Sequence, residues 1–373
     1  MHGRKRSEYK SLQRDPKVAA GLAAKAEKWH ALNAKLASSR ATPTATETTF
    51  QSDDTHVQNT LALSEKLLIV NPDPLYLWNH RREILIQQKA RAFSIEQELT
   101  LTATALQNNP KAYGAWFHRK WSLTRTVTEV GSDEALLLSA ELALTENVLQ
   151  RDERNFHCWN YRRFVVSLLL QGVDGTWRLD SALKSGTVLM GAQIATEKTN
   201  MSHVTPLTKD EQNEILEAEW DFTNNKIREN FSNFSAFHYR SKLWHWKLSG
   251  TVDKQALMRE EMALVENGIF TEPDDQTCWW YHRFLLQQLD SEHDSPWSTA
   301  MIADHLVLLE ELGAEVESAS KWVCLGTWHV LQVMEDTGAE IAQYRQTKLE
   351  ELMELDPDRR QRYQYLLRQL SGC

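Results

Sequence analysis

Glycine and proline are scarce in this sequence: 14 Gly and 9 Pro among 373 residues, about half of the roughly 12% that average usage gives. With so few turn-formers and no sustained alternation of period two, an all-β chain is excluded and a mostly helical one is predicted. Cysteine is scarcer still. Cys158, Cys278, Cys324 and Cys373 stand far apart with no Cys-x-x-Cys pair, which excludes a disulfide framework and a cysteine-based zinc finger. No apolar run approaches the ~18 residues of a membrane-spanning helix. The opening Met1-His2-Gly3-Arg4-Lys5-Arg6 is followed by no apolar core, unlike a secretory signal. A cytoplasmic protein is expected.

Catalytic signatures are missing as well. Neither Gly-x-x-x-x-Gly-Lys nor Gly-x-Gly-x-x-Gly occurs, so no phosphate-cradling loop is readable. His-Glu-x-x-His and Gly-x-Ser-x-Gly are absent, and Cys373 does not stand in a C-a-a-X lipidation sequence. Charge is uneven. Residues 1–40 hold ten Lys/Arg against three Asp/Glu, leaving 32 basic and 48 acidic groups in the rest. So acidic a body excludes a nucleic-acid binder, whose affinity comes from neutralising phosphates. The basic start reads as a solvated arm, or as a contact for an acidic partner.

What is present is a repeat. An aromatic residue recurs with Arg three positions later: Trp78 with Arg81, Trp116 with Arg119, Trp159 with Arg162, Phe237 with Arg240, and Trp280 with Arg283. The residue two after the aromatic is always His or Tyr. Spacings between the aromatics are 38, 43, 78 and 43 residues. The long one reads as a period plus an insertion over 172–210, where Gly, Ser and Thr break the helical pattern. A weaker sixth unit starts near Trp322. Turn and cap residues such as Asn71-Pro72, Asn109-Pro110, Asn155, Asn233 and Pro273-Asp274 precede each aromatic. Upstream of them lie amphipathic runs, among them Leu61, Leu63, Leu67, Leu68 and Leu136, Leu142, Leu144, Leu149.

Each repeat therefore reads as helix, turn, helix, and neither helix buries its apolar stripe alone. The predicted fold is all-α: a right-handed superhelical layer of six or seven tetratricopeptide-like hairpins over 57–370, after a basic arm (1–56) with one helix and a Ser/Thr-rich linker. Residues i and i+3 share a helix face, so indoles are expected to fill the gaps between layers while guanidinium groups bond to carbonyls or carboxylates of the next layer. Cys158 and Cys278 read as interlayer core. His245, between Trp244 and Trp246, reads as a hydrogen-bonded core residue rather than a ligand.

The run of Asn or Pro, aromatic, x, His/Tyr, Arg resembles the protein prenyltransferase α-subunit repeat, a relative of the tetratricopeptide repeat. Within that family, Asp152-Glu153-Arg154-Asn155-Phe156-His157-Cys158-Trp159 with Tyr161-Arg162-Arg163-Phe164 is similar to α subunits of the Rab geranylgeranyltransferase type. So are Asn230-Phe231-Ser232-Asn233 with His238-Tyr239-Arg240-Ser241, and the start Met1-His2-Gly3-Arg4. The α subunit of farnesyl and type I enzymes instead has a Lys-Asn-Tyr-His core where Arg154 and Phe156 replace Lys and Tyr.

This resemblance implies a subunit that is required but not itself catalytic, wrapped around a β subunit that holds zinc and geranylgeranyl diphosphate. The acceptors would be C-terminal cysteines of Rab GTPases, presented by a Rab escort protein. It further implies the compact form, without immunoglobulin-like or leucine-rich-repeat domains. Arg154, Asn155 and His157 would reach the rim of the β pocket, Arg154 either easing diphosphate charge or pairing with an acidic β residue. His2 matches an N-terminal His that can reach the β zinc as an autoinhibitory ligand. The alternatives are the α subunit of a farnesyl or type I enzyme, or a free-standing non-enzymatic adaptor.

Overall fold

The computed structural model describes residues 16–41, 53–87, 94–129, 134–170, 208–291, 295–316, 320–334 and 338–370. Among them are fifteen α-helices and no strand, the class the composition predicts. Two compact units divide the chain, Met1–Thr208 and Lys209–Cys373. His2, residues 42–52 and nearly all of the 172–210 stretch lie outside the described residues; Lys209 and Asp210, at that stretch's end, belong to a helix.

The first unit begins with α1 (Pro16–Ala41), followed by three hairpins: α2 (Asp53–Val70) with α3 (Leu75–Gln87), α4 (Ile95–Asn108) with α5 (Tyr113–Glu129), and α6 (Glu134–Arg151) with α7 (Phe156–Leu170). The helix of the basic arm is solvated over residues 16–28 and touches the first hairpin through its second half. Leu36 is buried, Trp29 Nε1 donates to Leu67 O at 3.2 Å, and the Tyr76 hydroxyl donates to Asn33 at 2.8 Å. The second unit holds α8 (Lys209–Glu229) with α9 (Phe234–Gly250), α10 (Lys254–Thr271) with α11 (Gln276–Asp290), α12 (Pro296–Glu315) with α13 (Lys321–Val333), and α14 (Ala339–Leu355) with α15 (Arg360–Leu370).

Local chemistry sets where each second helix starts. Asn155 Oδ1 accepts from the amides of His157 and Cys158, Asn233 Oδ1 from Ala236, Asp275 Oδ1 from Thr277, and Ser320 Oγ from Trp322. These caps satisfy amides that have no intrahelical partner. The fourth residue of the helix then folds its ring back over the turn. Trp78, Trp116, Trp159 and Trp279 each donate Nε1–H, at 2.8 Å, to the carbonyl six residues upstream.

That register corrects one repeat. In α11 the interlayer ring is Trp279, 4% exposed, and not Trp280, 52% exposed. Asp275 starts the helix at Gln276, so the fourth position falls on Trp279, and the residue three further on is His282 rather than Arg283. The unit near Trp322 has Cys324 at its fourth position, while Trp322 is half-buried and Trp328 is the buried indole. His245 is exposed, because its neighbour Trp244 takes the inward direction. Leu136 is exposed too; the inward stripe of α6 is Leu138, Glu141, Thr145 and Leu149.

A buried polar lattice ties the hairpins together. Arg81 presents Nε and Nη2 to the two oxygens of Glu98, both at 2.7 Å, and its Nη1 to Leu61 O and Ser64 Oγ. Arg119 repeats this with Glu141 at 2.7 and 2.6 Å, Leu99 O and Thr102. Arg240 repeats it with Glu261 at 2.8 and 2.5 Å, Trp220 O and Thr223. Arg162 bonds to Thr145 and, at longer range, to Leu142 O and Glu146. Arg81, Arg119 and Arg240 thus each join the first helix of their own hairpin to the first helix of the next. The glutamate's third donor is the sixth residue of the following second helix: His118 on Glu98 at 2.7 Å, Tyr161 on Glu141 at 2.5 Å, Tyr281 on Glu261 at 2.7 Å.

At the α11–α13 layer the whole set changes at once. His282 stands in the arginine position and meets His305 of α12, Nε2 to Nε2 at 2.7 Å, while His305 Nδ1 contacts Glu266 at 3.0 Å. Gly326 stands where His or Tyr would follow. A Cβ there would lie 2.1 Å from the Trp279 ring, so glycine is what lets that indole reach the backbone of α13.

Candidate functional site: the open face of the second helices

Packing consumes the fourth, sixth and seventh residues of the second helices α3 to α13. The first, fifth and eighth share the remaining face, since i, i+4 and i+7 align on a helix. In the first unit this face carries Leu75, Asn79 and Arg82 on α3, Tyr113, Phe117 and Lys120 on α5, and Phe156, Asn160 and Arg163 on α7. Tyr113 is 60% exposed and Phe156 56%. Their rings are organised: Tyr113 stacks on Phe117 at 6.4 Å and meets His157 edge-on at 6.1 Å. In the second unit the same positions hold exposed Phe234, stacked on His238 at 6.2 Å, and exposed Trp280 beside Arg283.

Of the residues singled out around the start of α7, His157 lies at this face against Tyr113 and Asn155 does not. Arg154 is exposed and His157 half-buried. Asn155 is fully buried; its oxygen caps α7 and its Nδ2 donates to Pro110 O at 3.0 Å. The amide is spent on joining two turns and has nothing left for a rim. His157 is surrounded by positive charge: burial, then Lys111 and Lys120, hold its pKa below the usual imidazole value. Lys111 itself lies 3.8 Å from Asp152.

The three described cysteines offer no nucleophile. Burial raises the Cys158 thiol far above its ordinary value. Burial with Asp275 and Glu272 pushes Cys278 up to about 12, and burial with Glu351 does the same to Cys324. Among the described residues no group of three or more His, Cys, Asp or Glu side chains is placed to hold a metal ion. No described helix is long and apolar enough to cross a membrane. An exposed aromatic face flanked by cations is the anatomy of a binding surface.

The glutamates of the lattice were not legible as partners beforehand. Loop lengths vary, so the step from Arg to Glu is 17, 22 or 21 residues. The step from Glu to the following His or Tyr, however, is always 20.

Comparison with known proteins bears on all of this. The profile of the protein prenyltransferase alpha subunit repeat matches residues 95–126, 138–169, 216–246 and 258–289, each a stretch holding most of one hairpin. Geranylgeranyl transferase type-2 subunit alpha of Bos taurus is 33% identical over 262 residues, 66% of this chain and 37% of its own length. The Homo sapiens protein of the same name is 31% identical over 247 residues, 63% and 35% respectively. That of Saccharomyces cerevisiae is 28% identical over 326 residues, 83% of this chain and 85% of its own. The chain thus spans little more than a third of the mammalian relatives and most of the yeast one.

Proposed function

Because the chain belongs to the protein prenyltransferase alpha subunit repeat family, we propose that it is the α subunit of a heterodimeric geranylgeranyltransferase of type 2. It pairs with a β subunit, and the pair transfers geranylgeranyl from its diphosphate to C-terminal cysteines of Rab GTPases presented by an escort protein in the cytoplasm. The observation that carries this reading is the open face: aromatic and cationic side chains at fixed positions of successive second helices, left uncovered by the packing of the described residues. A large partner is what such a face fits.

In this reading zinc and the isoprenoid diphosphate are bound by the β subunit, where a metal-bound acceptor thiol is a thiolate near neutral pH. This chain supplies a rigid frame and the rim. Arg154, exposed in the turn before α7, lends positive charge where diphosphate charge grows on leaving. His157 sits low in pKa and so remains neutral at physiological pH, stacking against the aromatics rather than adding a charge. His2 is retained as a candidate ligand to the β subunit's zinc in a resting state.

The test is co-expression with a type-2 β subunit, then zinc-dependent transfer of labelled geranylgeranyl to Rab with escort protein, run beside a C-a-a-X substrate without escort. Rab labelling that needs escort and both subunits supports the proposal. Labelling of the C-a-a-X substrate alone moves the chain to the farnesyl or type I class. A monodisperse monomer that ignores every β subunit makes it an adaptor.

A further inference from the structure

The residues that follow the first two clamp positions, Arg82 and Lys120, are cations that no carboxylate pairs with among the described residues. Arg82 lies over the Phe117 ring at 4.5 Å, and Lys120 over the Phe164 ring at 5.3 Å. Each cation thus reaches from its own second helix to an aromatic ring of the next. Arg82 also donates to Asn79, yet its Nη1 is buried with no hydrogen-bond partner. Among the described residues neither Arg82 nor Lys120 makes an ion pair. Both bear the mark of this: burial, against nearby Glu83, lowers Arg82 to about 10, and burial together with Arg163 lowers Lys120 to about 8. Arg283, set aside from the clamp by the register of α11, holds the corresponding eighth position of its own helix.

Half-buried cations without carboxylates are costly in a finished structure, and they are odd in a chain of net charge −9 that has acids to spare. Their cost is recovered only if a partner brings the missing charge. We propose that the Arg82–Lys120 row is a docking strip for carboxylates on the β subunit, the aromatic rings fixing the cations in place to receive them. This rests on the pairing proposed above and names the chemistry of its contact. Because Phe117 and Phe164 already hold the cation stems, less side-chain freedom is lost on docking than at an ordinary surface lysine. Association is then steered by charge and weakens with salt.

The experiment measures the dissociation constant of the αβ pair at several salt concentrations for the wild-type chain, Lys120→Met and Lys120→Glu, with melting curves of each α chain. Lys120→Met keeps the stem over Phe164 and removes only the charge. The expected result is unchanged melting, binding weaker by about 10-fold for Lys120→Met and about 100-fold for Lys120→Glu, and a shallower salt dependence for both, the range for one partner of a desolvated interface pair. Acylation of lysines at pH 8, read by mass spectrometry, should label Lys120 quickly in the free chain and slowly in the pair. Wild-type pairing that Lys120→Glu leaves intact overturns the docking strip and spares the pairing. Protection of Lys120 by inorganic pyrophosphate alone overturns it in favour of an anion site. A wild-type chain that binds no β subunit removes both readings.

Discussion

Arg119 and Tyr161, on the second helices of adjacent hairpins, donate to the same oxygen: Arg119 Nε and the Tyr161 hydroxyl both end on Glu141 Oε2, at 2.7 and 2.5 Å. Arg81 with His118 on Glu98, and Arg240 with Tyr281 on Glu261, do the same. Each carboxylate thereby fixes three helices relative to one another. A buried ion pair is a weak source of net stability but a strong penalty when broken, so the lattice acts by making any other stacking register expensive.

Glu141→Leu should therefore cost about 3–5 kcal/mol, since it leaves Arg119 buried and unpaired. Arg119→Met with Glu141→Leu and Tyr161→Phe removes all the orphaned groups together and should cost far less. Urea midpoints of the two variants decide it; equal losses would mean that the lattice has no role of its own.

The register of α11 is tested by two alanines. Trp279→Ala should cost about 3–5 kcal/mol, as for a buried aromatic, and Trp280→Ala about 0.5 kcal/mol or less, as for an exposed residue. The reverse order in thermal melts would restore the other register.

His282 and His305 replace an arginine and a glutamate as a pair. His282→Arg alone buries an unpaired cation, and His305→Glu alone sets a carboxylate near Glu266; both should destabilise. The double variant should be more stable than their sum by about 1–3 kcal/mol, the range for residues in contact. A double-mutant cycle that closes additively would show the two positions to be uncoupled.

Acid should weaken the fold in two stages. Burial holds His118 at about 4, against the pull of Glu98. Below about pH 6.5 the unfolded chain takes a proton that the folded one refuses, so stability falls as pH drops from 6.5 towards 4. Each such proton costs about 1.4 kcal/mol per pH unit. Burial also disfavours the Glu98 carboxylate, but the hydrogen bonds from His118 and Arg81 outweigh it and hold the pKa at about 2. The contribution of Glu98 is present above its ordinary value of 4.5 and is lost between 4.5 and 2. His118→Tyr, the residue used at positions 161 and 281, should make the first stage shallower, leaving the share of the other imidazoles that burial holds low, such as His282 and His329, and keep the second. Urea midpoints from pH 7.5 to 5 that fall as steeply in the variant would assign the first stage elsewhere.

Sequence alone was enough for the hairpins, because caps and an aromatic-to-arginine step of three are local and tolerate any loop length. It misplaced one repeat for an equally local reason. Trp279 and Trp280 are adjacent, and Arg283 completes the wrong pattern as neatly as His282 completes the right one. The deciding signal was present: Pro72, Pro110 and Pro273 each lie six residues before the packed indole. Asn155 was read as a rim residue because cap chemistry and ligand chemistry use the same side chain. The inward glutamates and the Leu136 position were misjudged together, since a hydrophobic periodicity cannot see a buried stripe built partly from Glu141 and Thr145.

The burial of the thiols carries a consequence for the proposed role in isoprenoid transfer. Alkylation by an allylic diphosphate requires a thiolate, and Cys158, Cys278 and Cys324 are kept protonated inside helical layers. These three side chains are poor acceptors for the reagent that their own complex would handle, so the scaffold is spared self-modification at them without needing a gate or a competing site.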